Sequence, residues 1–384
     1  MAATEQSQLD LEKKVNPLGR KHLRIAFSSN FSRRHVTETY LSDTFPPGSA
    51  AIFDLDPYRA NIGVLRLLEE LRNRGEAPDI FAHLVHTPAL PVNIHRCPIP
   101  TVSLDIDSFW WTESRIRWSL LFDYVFVWHK SFVPRYQAAG HPKVFAMPHA
   151  VDADAYQNCI PESERSLDVG WVGAFGYGHY ARRRRIIGGL AARLMMNDPD
   201  KKYSKQETAD IYSKSKIVVN VSRDEFPQEA NMRCYEAMAA GALLITQMPS
   251  ELTEWGFREG EHFIGWRSES EIPALVDKYI QDETQRLKIT RGARELTMSA
   301  FTFQHCRDRM LAVLEEHPNQ FFAPARNWPA EKVSLTYLEY YYRYLCYSEA
   351  FEEFAALRKA DRKSYWKGLP MMLKTLRHFL AEFR

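Results

Sequence analysis

The sequence predicts an α/β protein with two parallel-sheet domains facing a cleft, followed by a helical extension. Three observations carry that prediction. Residues 216–247 contain a strand, a loop, a helix and a second strand, which together make a complete βαβ unit. Apolar, β-prone runs alternate with helical patterns on both sides of residue 150, as two Rossmann-like sheets require. With 384 residues and 45% hydrophobic content, the chain can bury a sizeable core in each domain.

Composition narrows the function classes. Lys and Arg number 50 against 48 Asp and Glu, a formal charge of +2, so no global field recruits nucleic acid. The five cysteines, Cys97, Cys159, Cys234, Cys306 and Cys346, are scattered without metal-ligand spacing and read as reduced, buried thiols of a cytoplasmic protein. Residues 1–22 form a polar leader lacking the apolar stretch of an export signal. No uninterrupted apolar run reaches the roughly 18 residues of a spanning helix.

The first domain is expected over residues 23–150. Its strands are read at 22–28, 79–85, 100–104, 122–128 and 144–147, with a helix at 64–74 carrying Leu65, Leu67, Leu68 and Leu71. After the first strand, residues 28–35 bring Arg33, Arg34 and His35 into a loop suited to holding phosphate or sugar. The strand at 100–104 runs into Asp105-Ile106-Asp107. An Asp-x-Asp can hold a divalent ion, but it recurs at Asp54, Asp152 and Asp198, so no metal is assigned. Asp107 and Ser108 are equal candidates to cap the next helix.

The second domain is expected over 151–318. A strand at 167–172 leads into Gly173, Gly176 and Gly178 and then four arginines, Arg182 to Arg185. Glycines let backbone N–H groups approach a diphosphate, and guanidinium groups supply paired donors to its oxygens. Consecutive helical residues point apart, so at most two arginines serve one ligand, and Arg182 and Arg183, nearest the turn, are chosen. A solvated helix face is the alternative. A short helix at 205–213 precedes the βαβ unit, whose strands are read at 216–221 and 242–246 and whose helix spans 230–240. At about 100° per residue, Met232, Tyr235 and Met238 share one side, while Glu229, Arg233 and Glu236 cluster on another. That charged front is either a solvated surface with an ordinary Glu229–Arg233 pair, or the wall of a site. Ligands of open parallel sheets sit beyond the carboxyl ends of the strands, where a helix N-terminus attracts phosphate and a carboxylate can take both ribose hydroxyls.

The run FPQEANMRCYEAMAAGALLIT, residues 226–246, resembles the donor-binding signature of GT-B glycosyltransferases, specifically the family-4-like group and its CgeB-like branch. That family carries two glutamates eight apart before an Ala-Met-Ala-x-Gly turn. The second matches Glu236; the first falls on Gln228, with Glu229 one residue late. The CgeB-like branch places an arginine three residues before the helix glutamate, matching Arg233, and an aspartate near a first-domain strand end, matching Asp107. The resemblance implies a retaining hexosyltransferase, with the nucleotide-sugar donor as substrate and no cofactor; the arginines near both phosphate-facing turns and the scatter of Asp-x-Asp triplets make it metal-independent in expectation. Asp107, Arg233 and Gln228 are its implied catalytic residues, and Gly173, Arg182, Arg183, Glu229 and Glu236 bind the donor. The acceptor is a glycan, protein or small molecule held by the first domain. A sugar-nucleotide-binding protein without turnover remains open, as Gln228 departs from the motif. So does a metal-dependent GT-A enzyme using Asp105 and Asp107, although a second βαβ domain counts against it.

The extension, 319–384, carries Tyr337, Tyr341, Tyr344, Ser348 and Phe351 at helical spacing, read as a core-facing stripe. Its end is basic, and Leu373, Leu376, Leu380 and Phe383 make the last helix amphipathic. That pattern suits either a helix crossing back to the first domain, the preferred reading, or peripheral contact with an anionic membrane.

Overall fold

The computed structural model describes residues 25–28, 52–54, 61–85, 90–174, 180–316 and 321–381. The polar leader, the loop residues Arg33, Arg34 and His35, and Gly176 and Gly178 lie outside the described residues.

The chain divides into two compact units. The first runs to Met147 and resumes at Arg307; the second is Pro148–Cys306. The first unit contains the strands β1 (Ile25–Ser28), β2 (Ile52–Asp54), β3 (Ile80–Leu84), β4 (Thr101–Asp105), β5 (Tyr124–Val127) and β6 (Val144–Ala146). They form one parallel sheet in the order β2-β1-β3-β4-β5-β6, with Ile25 level with both Ile52 and Ile80. Strand β2 was not anticipated; at three residues it is too short to show periodicity. The second unit contains β7 (Leu167–Gly170), β8 (Ser215–Val219), β9 (Leu243–Gln247) and β10 (Ile264–Trp266), parallel and adjacent in chain order.

Burial explains the apolar strands of the second unit. Along β8 and β9, Val218 and Leu244 enter one core cluster, while Ile217, Val219, Leu243 and Ile245 enter another. Successive strand residues point to opposite faces, and here helices cover both. Helix α1 (Ala181–Ala191) covers one face through Ile187 and Leu190; α2 (Met232–Ala239) covers the other through Cys234, Tyr235 and Met238.

The helical extension clusters with the first unit, together with the residues from Arg307 that precede it. Helix α3 (Ala330–Arg343) supplies Tyr337, Leu338, Tyr340 and Tyr341 to the core that holds Ala26, Leu67 and Phe81. Burying such aromatic side chains contributes about 1.5–3 kcal/mol each, provided the hydroxyls find partners. They do. Tyr337 donates to Pro91 O at 2.9 Å and accepts from Ile94 N at 3.1 Å, Tyr341 donates to Leu90 O at 2.7 Å, and Tyr340 lies 2.8 Å from His83 Nε2. The stripe stops there: Leu345 adopts φ 56°, and a new helix, α4 (Tyr347–Ala360), starts on a different axis. Ser348 and Phe351, predicted to continue inward, are therefore exposed. The final helix, α5 (Arg362–Ala381), packs on α3 and α4. Among the described residues no helix is long and apolar enough to cross a membrane.

Candidate functional site

The carboxyl ends of β7, β8 and β9 bring the second unit's chemistry together, as open parallel sheets do for ligands. Strand β7 leads into Trp171, Val172 and Gly173. Trp171 is pinned by Asn197, whose Oδ1 accepts from its N–H at 2.9 Å and whose Nδ2 donates to its carbonyl at 2.6 Å. Its indole is fully buried, and two guanidinium groups approach it: Arg233 at 3.9 Å and Arg183 at 5.9 Å from the ring centroid. Neither arginine is a solvated surface residue, since both are more than nine-tenths buried.

Arg233 is held by neutral acceptors. Nε and Nη2 donate to Val172 O at 3.1 and 3.0 Å, and Nη1 to Asn220 Oδ1 at 2.8 Å. Asn220 is fully buried and is itself oriented through Nδ2 donation to Thr246 at 3.0 Å and Ser222 at 3.2 Å. Arg183 donates from Nε to Val221 O at 2.8 Å, and no acceptor among the described residues takes its Nη hydrogens. Burial, with the Arg233 charge nearby, lowers the Arg183 pKa to about 10, partly opposed by Glu229. It stays protonated at neutral pH. Two positive charges held mainly by neutral groups favour an anion, and burial strengthens that attraction relative to water.

Gly173 lies against the Arg233 guanidinium. A Cβ there would lie 2.2 Å from Arg233 Nη2, so the glycine makes room for the guanidinium. Arg182 is bonded to neighbouring side chains. Its nitrogens donate to Glu269 at 2.8 Å, Asp224 at 3.0 Å and Gln247 at 3.1 Å, and it lies 5.3 Å from the Trp266 centroid. Three of its five N–H donors go to the protein's own side chains, whereas Arg183 gives one, from Nε to Val221 O.

Helix α2 starts at Met232 rather than residue 230, because Asn231 takes the extended cap conformation. Gln228 and Glu229 therefore lie in the preceding loop, and the helical Glu229–Arg233 pair does not form. Gln228 accepts from Glu251 N at 2.9 Å through its backbone carbonyl; Glu229 is buried, its carbonyl accepting from Ser222 Oγ at 3.1 Å. Glu236 is on the helix and half-buried, near Tyr156 and Tyr212. Burial raises its pKa to about 7, against the opposing pull of Arg233 and Lys205.

In the first unit, Asp105 at the end of β4 is fully buried. It pairs with Arg115 Nη1 at 2.5 Å and accepts from the Tyr136 hydroxyl. Burial opposes the charged form of Arg115, yet Asp105 holds its pKa above the usual value. The first carboxylate of the Asp-x-Asp triplet is thus a structural partner. Asp107 is half-buried, and its carbonyl accepts from Trp110 N at 2.9 Å. Neither Asp107 nor Ser108 caps the following helix, Thr112–Ser119, whose cap position is Trp111; Ser108 Oγ instead donates to Asp105 O at 3.2 Å.

Sequence reasoning missed Trp171 and Asn220. The available signal was polarity: Asn220 interrupts the apolar run from Ile217 to Val221, where a strand interior has no use for an amide.

Two parallel-sheet units flanked by helices, with a helical C-terminal region, are the GT-B architecture. Residues 177–312 match the family model described as glycosyl transferase-like. The chain is similar in fold to HepE from Anabaena, a structure in complex with UDP and glucose, at 13% identity and TM-score 0.55, covering 77% of this chain and all of that one. A glycosyltransferase from Rickettsia africae is similar at 11% identity and TM-score 0.55, with 77% and 99% coverage. Sucrose-phosphate synthase from Thermosynechococcus elongatus is similar at 12% identity and TM-score 0.52, with the same coverage. No curated protein matches the sequence.

Proposed function

We propose that the protein is a glycosyltransferase that binds a nucleotide-sugar donor in its second unit. The observation that carries this reading is the pair of buried arginines at the strand ends, Arg183 offering its Nη hydrogens and Arg233 oriented over Trp171. A diphosphate is the ligand such a pair fits: the guanidinium groups take its oxygens, and α2 points its N-terminus to the same edge of the sheet. Glu236, ionised, accepts the ribose hydroxyls. As the bond to the sugar breaks, negative charge develops on the departing nucleoside diphosphate, and Arg183 and Arg233 stabilise it without a metal ion. Asp107 of the first unit positions the acceptor or takes its proton. The arginine three residues before Glu236 favours the CgeB-like branch, and retention of anomeric configuration is what the family-4-like motif implies. UDP-sugars are the first donors to try, because HepE is described with UDP and UDP-glucose.

Calorimetric titration with UDP, GDP and ADP tests the reading. One of them binds, and Arg183→Met weakens it by at least about tenfold, the loss of one charged hydrogen bond. Binding of none, or an unchanged affinity in the variant, overturns the assignment. Transfer survives EDTA; its loss with restoration by Mn²⁺ or Mg²⁺ refutes the metal-free step.

Gln228, in place of the first motif glutamate, favours a second reading, a sugar-nucleotide-binding protein without turnover. Release of nucleoside diphosphate from the donor in the absence of acceptor separates the two, since a binder releases none.

A further inference from the structure

Helix α5 turns the wrong side outward for a helix that only serves the core. At about 100° per residue, the face packed on α3 and α4 consists of Ser364, Gly368, Met372 and Thr375, all buried. Gly368 is tightly enclosed: a Cβ there would lie 3.0 Å from Leu338 and 3.2 Å from Leu357. The leucines that made the helix look like a brace are on the opposite side. Trp366 and Leu373 are each 58% exposed, Leu380 55% and Leu376 40%.

These residues form a strip rather than a scatter. Trp366, Leu373 and Leu380 recur every seven positions, with Pro370 between and Leu376 on one flank. Lys363, Lys367, Lys374 and Arg377, all exposed, line the centre and the other flank. Residues 362–381 contain no Asp or Glu. A self-interface or a brace needs no such one-sided charge. An apolar strip with an indole, whose charged neighbours on the same helix are all cations, matches a surface that is apolar below and anionic above.

We propose that the exposed face of α5 docks on an anionic lipid bilayer, lying in the plane of the headgroups with Trp366, Leu373 and Leu380 inserted. The lysines and Arg377 contact lipid phosphates, and the opposite face stays packed on α3 and α4. This goes beyond the transferase reading and stands whether or not the second unit transfers a sugar.

Sedimentation of the whole protein with vesicles tests it. Vesicles of phosphatidylcholine and phosphatidylglycerol in equal parts should carry the protein down, and vesicles of phosphatidylcholine alone should not. Binding should fall as salt rises, since the cations act over a Debye length. Lys363→Glu with Lys367→Glu should weaken partitioning by at least about 25-fold, at about fivefold for each lost cation. Trp366→Ser with Leu373→Ser should abolish binding while leaving the melting temperature unchanged, because both side chains are exposed. Equal sedimentation with both vesicle types, or unchanged binding in either variant, overturns the proposal. So does a dimer in lipid-free buffer that dissociates on Leu373→Ser with Leu380→Ser, which would make the strip a self-interface.

Discussion

Replacing Gly173 by alanine isolates the close approach on which the Arg233 geometry depends. The new Cβ would meet Arg233 Nη2 at 2.2 Å, far inside contact distance. The struck atom ends a flexible side chain, but that side chain is held by Val172 O and Asn220 Oδ1 and lies against Trp171. Moving it breaks the 3.0 Å bond from Nη2 and disturbs the 2.8 Å bond from Nη1. Hydrogen bonds to a charged group are worth about 1.5–3 kcal/mol each, and partial relaxation recovers some of this, so the expected cost is about 2–4 kcal/mol. For a unit of this size that lowers the melting temperature by roughly 4–16 °C. The backbone of Gly173 is outside the left-handed region, so the alanine adds no strain of its own. A urea-denaturation cycle with Arg233→Ala is the assay. In the Arg233→Ala background the same glycine substitution should be within about 1 kcal/mol of neutral, because the two residues couple only through the clash. An equal cost in both backgrounds would refute the reasoning, and Gly173 would then serve the backbone alone.

Other expectations follow from the same geometry. Arg182→Met should lower the melting temperature through loss of its contacts to Glu269, Asp224 and Gln247 while leaving nucleotide affinity within about threefold, the reverse of Arg183→Met. Asp105→Asn leaves Arg115 as an uncompensated buried charge and should cost about 3–5 kcal/mol in urea denaturation. Glu236→Gln should weaken nucleoside diphosphate binding by roughly 10- to 150-fold by calorimetry. The carboxyl of Glu236 is raised from 4.5 to about 7 in the folded state, so the fold retains a proton that the unfolded chain gives up. Its contribution to stability is therefore lost as pH rises from about 4.5 to about 7 and is flat above. Melting of wild type and Glu236→Gln across that window should diverge as pH rises, the variant gaining; parallel curves would contradict the shift.

Much of the fold was legible because parallel strands buried on both faces are continuous apolar runs. Residues 79–85, 122–128 and 242–246 announce β3, β5 and β9 within a residue or two of each end, and the short helix at 205–213 matches Lys205–Ser213, which Ser204 caps in the structure. The sequence also determined where the site's edge would be, since strand ends followed by Gly173 and by the Glu236 helix can only be the carboxyl side of a parallel sheet. Tertiary structure decided which partners the polar residues take there. Four consecutive arginines look alike in a string, and only packing shows that Arg182 bonds Glu269, Asp224 and Gln247 whereas Arg183 bonds Val221 O through Nε. Gly173 and Arg233 are sixty residues apart, so their 2.2 Å relation has no local signature. The last helix shows the same limit. Its period identifies an amphipathic element, but with apolar residues on more than one side, only contact with α3 and α4 fixes Gly368 and Met372 inward and Leu373 and Leu380 outward. Periodicity reports how residues are spaced around an axis; which side meets a neighbour depends on chain segments that local sequence does not contain.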